Sequence, residues 1–308
     1  MGGVGTFSHE ALFYRGVDDL LRSSIDFLAE GAASGDAMLV VLPKDKNARL
    51  QDALGGAAGS ITFADMDEVG HNPARIIPAW RWFVDAHAES GRSLRGIGEP
   101  IGGRHTGAVL DECHRHEALL NHAFASAGDF RLLCPYDVDA LDPAVAARAR
   151  QTHPFVHGAD ASDDYVPFDA LEPFGARFDE PSATTTHLAF DGTSLGAART
   201  FVRDRATCTP MTARRIDDLV LAMNEIATNS IEHGGGTGEL RVWEESSSVV
   251  CEIRDRGVIT EPLLGRVVPA ADLERGRGHW IANQVCDLVR VHSTSAGTTV
   301  RLHVGYSR

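Results

Sequence analysis

The chain has 308 residues, enough for two domains with cores of their own. Its 43% hydrophobic and 23% charged content is that of a globular protein, and a formal charge of −14 argues against a nucleic-acid surface, which needs clustered positive charge. No apolar run reaches membrane-spanning length and no secretory-type leader opens the chain, so a cytoplasmic protein with no membrane contact is expected.

Between Phe7 and Thr152, short apolar runs alternate with helical patterns. Strands are predicted at residues 37–42, 60–63, 93–97 and 130–134, and helices near 17–32, 75–90 and 108–127. Such alternation predicts a largely parallel sheet covered by helices, with ligands beyond the carboxyl ends of the strands. Those ends carry Pro43-Lys44-Asp45, Asp65, Gly98-Glu99-Pro100 and Pro135-Tyr136-Asp137. No Gly-x-x-x-x-Gly-Lys-Ser/Thr loop occurs, so nucleotide hydrolysis is not expected in this half.

The five cysteines are scattered, with no Cys-x-x-Cys pair, and read as buried thiols rather than a zinc finger or disulfide scaffold. His114 and His116 stand about 200° apart on a helix and cannot chelate together. Glu112 and His116, four residues apart, could do so, but a salt-bridged or solvated helix face is the commoner use of that spacing.

From residue 160 to 181, Asp, Pro, Gly and Ala interrupt single aromatics (Tyr165, Phe168, Phe174, Phe178) without a sustained period. This reads as a linker, either a disordered tether or a coupling element whose aromatics dock on one or both domains.

In the C-terminal half a strand is predicted at residues 187–190 and helices at 195–206 and 214–231. Strands at 239–243 and 248–254 follow, then a lid over 258–275, a helix over 278–287 and two last strands, giving a layer of helices on a mixed sheet. In the second helix Ile216, Leu219, Val220, Met223 and Ala227 form an apolar face. Glu225 and Asn229 lie one turn apart on the other face, and Gly234-Gly235-Gly236 stops the helix.

Glu-x-x-x-Asn alone is weak evidence. However, Asp255-Arg256-Gly257, Gly276-Arg277-Gly278 and Gly297-Thr298-Thr299 follow in order within about eighty residues. Together the four motifs resemble the N, G1, G2 and G3 boxes of the GHKL ATPases, over roughly residues 185–305. The resemblance implies an α/β sandwich of the Bergerat type with ATP and Mg²⁺ as cofactors. It makes Asn229 the metal ligand and Glu225 the general base. Asp255 and Gly257 would receive adenine, Thr298 would lie near it, and Gly276, Arg277 and Gly278 would face the phosphates. The short lid and the form of the first box are similar to anti-sigma serine kinases of the RsbW type. His279 departs from that subfamily, which usually has an apolar residue there; its ring would either alter lid closure or point to solvent.

The N-terminal half resembles the MEDS sensory domain, similar in outline to RecA. The resemblance rests on His9-Glu10-Ala11-Leu12-Phe13-Tyr14, Phe27-Leu28-Ala29-Glu30-Gly31, Arg95-Gly96-Ile97-Gly98-Glu99-Pro100, His116-Glu117-Ala118-Leu119-Leu120-Asn121 and Leu133-Cys134-Pro135-Tyr136-Asp137. It makes His9, Tyr14, Glu99, His116 and Tyr136 candidates for binding a small molecule.

The expected organisation is a sensory domain at residues 7–157, a linker at 158–182 and an ATPase or kinase domain at 183–308. Both resemblances together imply a regulator of the actinobacterial RsbA type, concerned with stress response. Its partners would be a sigma factor and a STAS-domain anti-anti-sigma protein, and a homodimer is left open. A nucleotide-gated binding protein without phosphotransfer, or a small-molecule sensor with an ATPase-like scaffold, are the competing readings.

Overall fold

The computed structural model describes residues 6–103, 105–159, 161–170, 177–181, 185–269 and 276–307. The chain divides into two compact units, Met1–Leu171 and Glu172–Arg308.

In the first unit the elements run β1 (Phe7–Tyr14), α1 (Gly16–Ser34), β2 (Ala37–Leu42), α2 (Lys44–Leu54), β3 (Thr62–Asp65), α3 (Met66–Val69), α4 (Ile76–His87), β4 (Leu94–Gly98), α5 (Gly107–Ala123), β5 (Phe130–Asp137), α6 (Pro143–Thr152) and β6 (Phe155–Val156). The sheet order is β3-β2-β4-β5-β1-β6, and every paired strand is parallel. All six residues of β2, Ala-Met-Leu-Val-Val-Leu, are buried, as a strand covered on both faces requires. β1 is also central, yet it carries His9 and Glu10, both buried. Their polarity hides the strand from hydropathy patterning. α2 escapes it for another reason: of its side chains only Asn47 and Leu50 are buried.

The second unit contains β7 (Thr186–Asp191), α7 (Leu195–Thr207), α8 (Ala213–His233), β8 (Thr237–Glu245), β9 (Ser248–Asp255), α9 (Gly278–Val285), β10 (Leu288–Thr294) and β11 (Gly297–Gly305). Its sheet runs β10-β11-β9-β8-β7 and is antiparallel throughout, not mixed as expected. β9 and β10 do point the same way, but β11 inserts between them and pairs with each in the opposite sense. The final helix is also shorter than predicted, because Cys286 already has extended backbone.

α8 buries Leu219, Val220, Met223, Ile226 and Ala227 against that sheet, and the Thr212 hydroxyl caps it by accepting from the Arg215 amide. Arg215, fully buried, ties the helix start to three places. Its Nε donates to the Gly305 carbonyl at 3.2 Å, Nη1 to the Val285 carbonyl at 2.9 Å, and Nη2 pairs with Asp287.

The opposite face of the sheet is polar. Glu252, fully buried, accepts from Arg301 at 2.7 Å and from Arg241 at 3.3 Å, and pairs with Arg254 at 2.7 Å. Over this lattice run residues 177–181. Phe178 lies 4.6 and 4.8 Å from the Arg290 and Arg301 guanidinium carbons, and Glu180 pairs with Arg241 and Arg254. The expected docking of linker aromatics therefore occurs at Phe178, and Phe168 stacks on His122 within the first unit at 4.9 Å. The linker's remaining expectation, including Phe174, falls partly on residues 160, 171–176 and 182–184, outside the described residues.

Four cysteines are buried as expected, but Cys208 is exposed at the end of α7. The helix face bearing Glu112 and His116 is not solvated. His116 is fully buried, and Glu112 pairs with Arg115 at 3.6 Å with both side chains largely covered.

Candidate functional site

In the second unit, the end of α8, the end of β9 and the start of α9 converge on a cleft. Ile226, Val258, Ile259, Leu264 and Val300 supply apolar walls, while Asn229, Asp255, Thr298 and His279 supply polar groups. Its cavity is about 190 Å³, below the roughly 300–1,000 Å³ of a site enclosing a whole drug-sized ligand. Among the described residues it suits a ring, with the rest of a longer ligand extending past it.

The junction depends on two glycines. A Cβ at Gly234 would lie 2.5 Å from Asp255 Cγ, and one at Gly257 would lie 2.9 Å from Gly234 Cα. The glycine run after α8 is thus read physically: it lets the helix end press against the strand end.

Asp255 is held at both oxygens. Oδ1 accepts from the Gly257 amide at 2.7 Å and Oδ2 from the Ser230 hydroxyl at 2.6 Å, each oxygen keeping further acceptor capacity. Thr298 belongs to a directed chain. The Ile259 amide donates to Ser293 Oγ, which donates to Thr298 Oγ1, which donates to the Gly257 carbonyl at 2.8 Å. Both side chains are therefore orientated before any ligand arrives.

Asn229 Nδ2 donates to His279 Nδ1 at 3.2 Å. His279 is 7% exposed, so the alternative of a ring pointing to solvent is excluded. Burial pushes its imidazole down to about 4, and Nε2 has no partner among the described residues. A Cβ on Gly278 would lie 2.8 Å from Asn229 Nδ2, so glycine lets α9 begin directly against this amide.

Of the sequence candidates, Asn229, Asp255, Gly257, Gly276 and Thr298 line the cleft. Arg277 and Gly278 stand at the start of α9. Glu225 is half-buried one turn before Asn229, with its backbone carbonyl near Gly278, but it is not part of the cavity lining. Ser230 was missed; its spacing of one residue from Asn229 gave no signal. Of the predicted lid, residues 270–275 lie outside the described residues.

Four of the five first-unit candidates separate into two places, and His116, buried on α5, belongs to neither. Tyr14 donates to Glu99 Oε1 at 2.7 Å, and Lys46 Nζ lies 2.7 Å from the same oxygen, at the carboxyl edge of the sheet. Beside this trio Lys46, Glu99, Met66, His71 and His105 border a cavity of about 520 Å³, in the crevice where such sheets bind ligands. His9 and Tyr136 lie elsewhere, with Glu117, Cys134 and His153. His9 Nε2 and His153 Nε2 approach Glu117 Oε2 at 3.2 and 3.0 Å, and Tyr136 meets the His153 ring edge-on. Lys46, Glu117, Cys134 and His153 were not singled out as site residues, because strand and helix order alone does not show which side chains share a face.

The architecture is thus a parallel α/β unit followed by an antiparallel sheet with helices on one face and a preorganised polar cleft at the helix ends. Residues 8–154 match the family model of the methanogen/methylotroph, DcmR sensory domain (MEDS), and residues 188–304 match that of the histidine kinase-like ATPase domain. The chain carries a MEDS domain followed by a histidine kinase-like ATPase domain. No curated protein matches it. Among solved structures, the RsbU and RsbW domains of Rv1364c from Mycobacterium tuberculosis are 18% identical, over 41% of this chain and 34% of that one, with a TM-score of 0.30. The overlap spans about a third of that chain and is too slight to bear on function. Among the described residues, no helix is long and apolar enough to cross a membrane.

Proposed function

We propose that residues 183–308 bind Mg-ATP and act as a serine kinase on a STAS-domain anti-anti-sigma protein. On this reading the chain also sequesters a sigma factor, and residues 7–157, joined through the linker 158–182, adjust the balance in response to a small molecule. The observation that carries the reading is the convergence of Asn229, Asp255, Thr298 and the glycine-started helix on one cleft.

The residues present fit the group. Asn229 has a carboxamide oxygen for Mg²⁺, a hard cation that takes oxygen ligands. Asp255, pinned by Ser230 and Gly257, has acceptor capacity for the adenine amino group. The backbone amides opening α9 would face phosphates, with Arg277 beside them. ATP supplies the phosphoryl group, and Glu225 would take the proton from the attacking serine hydroxyl. In the first domain the crevice beside Lys46 and Glu99 is our ligand site.

A second reading, nucleotide-gated binding without phosphotransfer, draws support from the hydrogen bond that engages Asn229 with His279 and from the place of Glu225 outside the cavity lining. Calorimetric titration of Mg-ATP into the full chain and Asn229→Ala tests the shared premise. Binding weakened by the substitution supports it, and no binding to the intact chain removes both readings. Transfer of labelled phosphate to a STAS-domain protein, lost in Glu225→Gln, selects the kinase; absence of transfer with binding intact selects the gate.

A further inference from the structure

His9 on β1, Glu117 on α5, Cys134 on β5 and His153 just after α6 bring one donor atom each into a space where all four lie within 4.8 Å of one another. All four residues are buried, three of them with no measurable exposure. The arrangement belongs to neither the nucleotide cleft nor the crevice beside Lys46.

The outer contacts of the two imidazoles fix what they present inward. Asn121 donates through Nδ2 to the Thr152 carbonyl at 2.7 Å, so its Oδ1 faces His9 Nδ1, 3.1 Å away, and that nitrogen must carry the proton. His153 Nδ1 lies 2.8 Å from the Ala149 carbonyl and is likewise the donor. In the neutral rings both Nε2 atoms therefore turn lone pairs toward Glu117. The Cys134 thiol, 3.3 Å from His9 Nε2, can satisfy one of them by donating its proton. It leaves no proton between the neutral His153 ring and the carboxylate; among the described residues both Glu117 oxygens and His153 Nε2 lack a well-formed hydrogen bond, and the Tyr136 hydroxyl beside Glu117, itself without one, is the one further donor to hand. One hydroxyl cannot satisfy three acceptors in a closed interior, and the shortfall is costly, whereas a cation at their centre would satisfy all of them.

We propose that His9, Glu117, Cys134 and His153 form a binding site for a divalent ion of the zinc class. Around tetrahedral zinc, bond lengths of 2.0–2.3 Å put neighbouring ligand atoms roughly 3.3–3.8 Å apart. The separations of 3.0, 3.2 and 3.3 Å found here already approach that figure. Two imidazoles, a thiolate and a carboxylate are a borderline-soft set suited to zinc. The Asn121 and Ala149 carbonyl contacts are the outer-shell orienters that such histidines use. Loading releases the Cys134 proton, so the bound ligand set carries a thiolate and a carboxylate against the two charges of the ion. Four protein ligands complete a tetrahedron, so the ion would serve as a clasp holding α5 and the end of α6 on β1 and β5.

Full-length protein expressed with zinc supplementation is assayed for metal content and by X-ray absorption at the zinc edge. The expected result is about one zinc per chain with one sulfur and three nitrogen or oxygen scatterers. Glu117→Gln and His153→Ala should lower the content more than fivefold, whereas Cys113→Ala, a buried thiol on α5 outside the cluster, should retain it. Folded wild-type protein without stoichiometric metal overturns the proposal, as does bound zinc without a sulfur ligand or with content unchanged in both cluster variants. Should those variants fail to fold, the wild-type absorption spectrum still decides.

Discussion

Asn229 and His279 share a hydrogen bond of 3.2 Å, with the amide donating to a ring that burial keeps neutral. The bond holds Nδ2 of Asn229 toward α9 and leaves Oδ1 on the other edge of the amide. His279 thereby positions the proposed metal ligand, at the expense of an Nε2 that has no partner among the described residues. Replacing it with leucine removes an unsatisfied buried donor and loosens the amide together. We expect His279→Leu to be about 1 kcal/mol more stable in urea unfolding and to bind Mg-ATP roughly fivefold more weakly by calorimetry.

Gly234 tests the packing beneath the cleft. A methyl group there would meet the Asp255 carboxyl carbon at 2.5 Å and the Ser230 carbonyl at 2.6 Å, neither on a flexible end. Gly234→Ala should destabilise the second unit by about 2–3 kcal/mol. Gly236→Ala, with open space around it, acts only through its left-handed backbone at φ 84° and should cost about 1 kcal/mol. Urea unfolding of both variants checks the order.

Burial raises the Glu99 carboxyl above its usual range, while Lys46, the next influence, pulls it down. A carboxyl raised on folding contributes stability that is full below its unfolded pKa and is lost as pH rises through the folded value. Lys46→Met takes away the opposing charge and raises Glu99 further. The substitution should cost about 2 kcal/mol at pH 7 and less at pH 5, where the carboxyl gains its proton. Unfolding at the two pH values reads the difference; an equal cost at both would count against this account.

The arginine lattice on the outer sheet face separates buried from exposed pairing. Glu252 is fully buried among Arg241, Arg254 and Arg301, so Glu252→Gln should cost about 3 kcal/mol by stranding those cations. Glu180 meets two of the same arginines from solvent, with its side chain 58% exposed. Glu180→Gln should leave the unfolding midpoint nearly unchanged in the same measurement.

Much of this was legible because it is periodic or ordered. The apolar face of α8, the unbroken hydrophobic run of β2 and the four motifs from Glu225 to Thr298 are local signals. What stayed hidden depends on distant residues meeting. β1 was obscured because His9 and Glu10 occupy a central strand where hydropathy expects apolar side chains. The sensory candidates could not be sorted into two groups, since His9 meets His153 across 144 positions of sequence only because β1 lies between β5 and β6. The sense of the second sheet was misread for a similar reason: β11 fills the gap that strand order alone left between β9 and β10.

That insertion also sets an order of events during synthesis. β11 is the last strand of its unit to leave the ribosome, yet it occupies an interior position and receives the Arg215 side chain at the Gly305 carbonyl. Until it emerges, β9 has an unpaired edge, β10 has no neighbour, and α8 lacks part of the surface it covers. The first unit has all its strands earlier in the chain and can complete its sheet while the second is still waiting. A nascent ATPase domain of this topology is therefore an exposed hydrophobic layer until its final stretch arrives, and it would be the portion most dependent on chaperones.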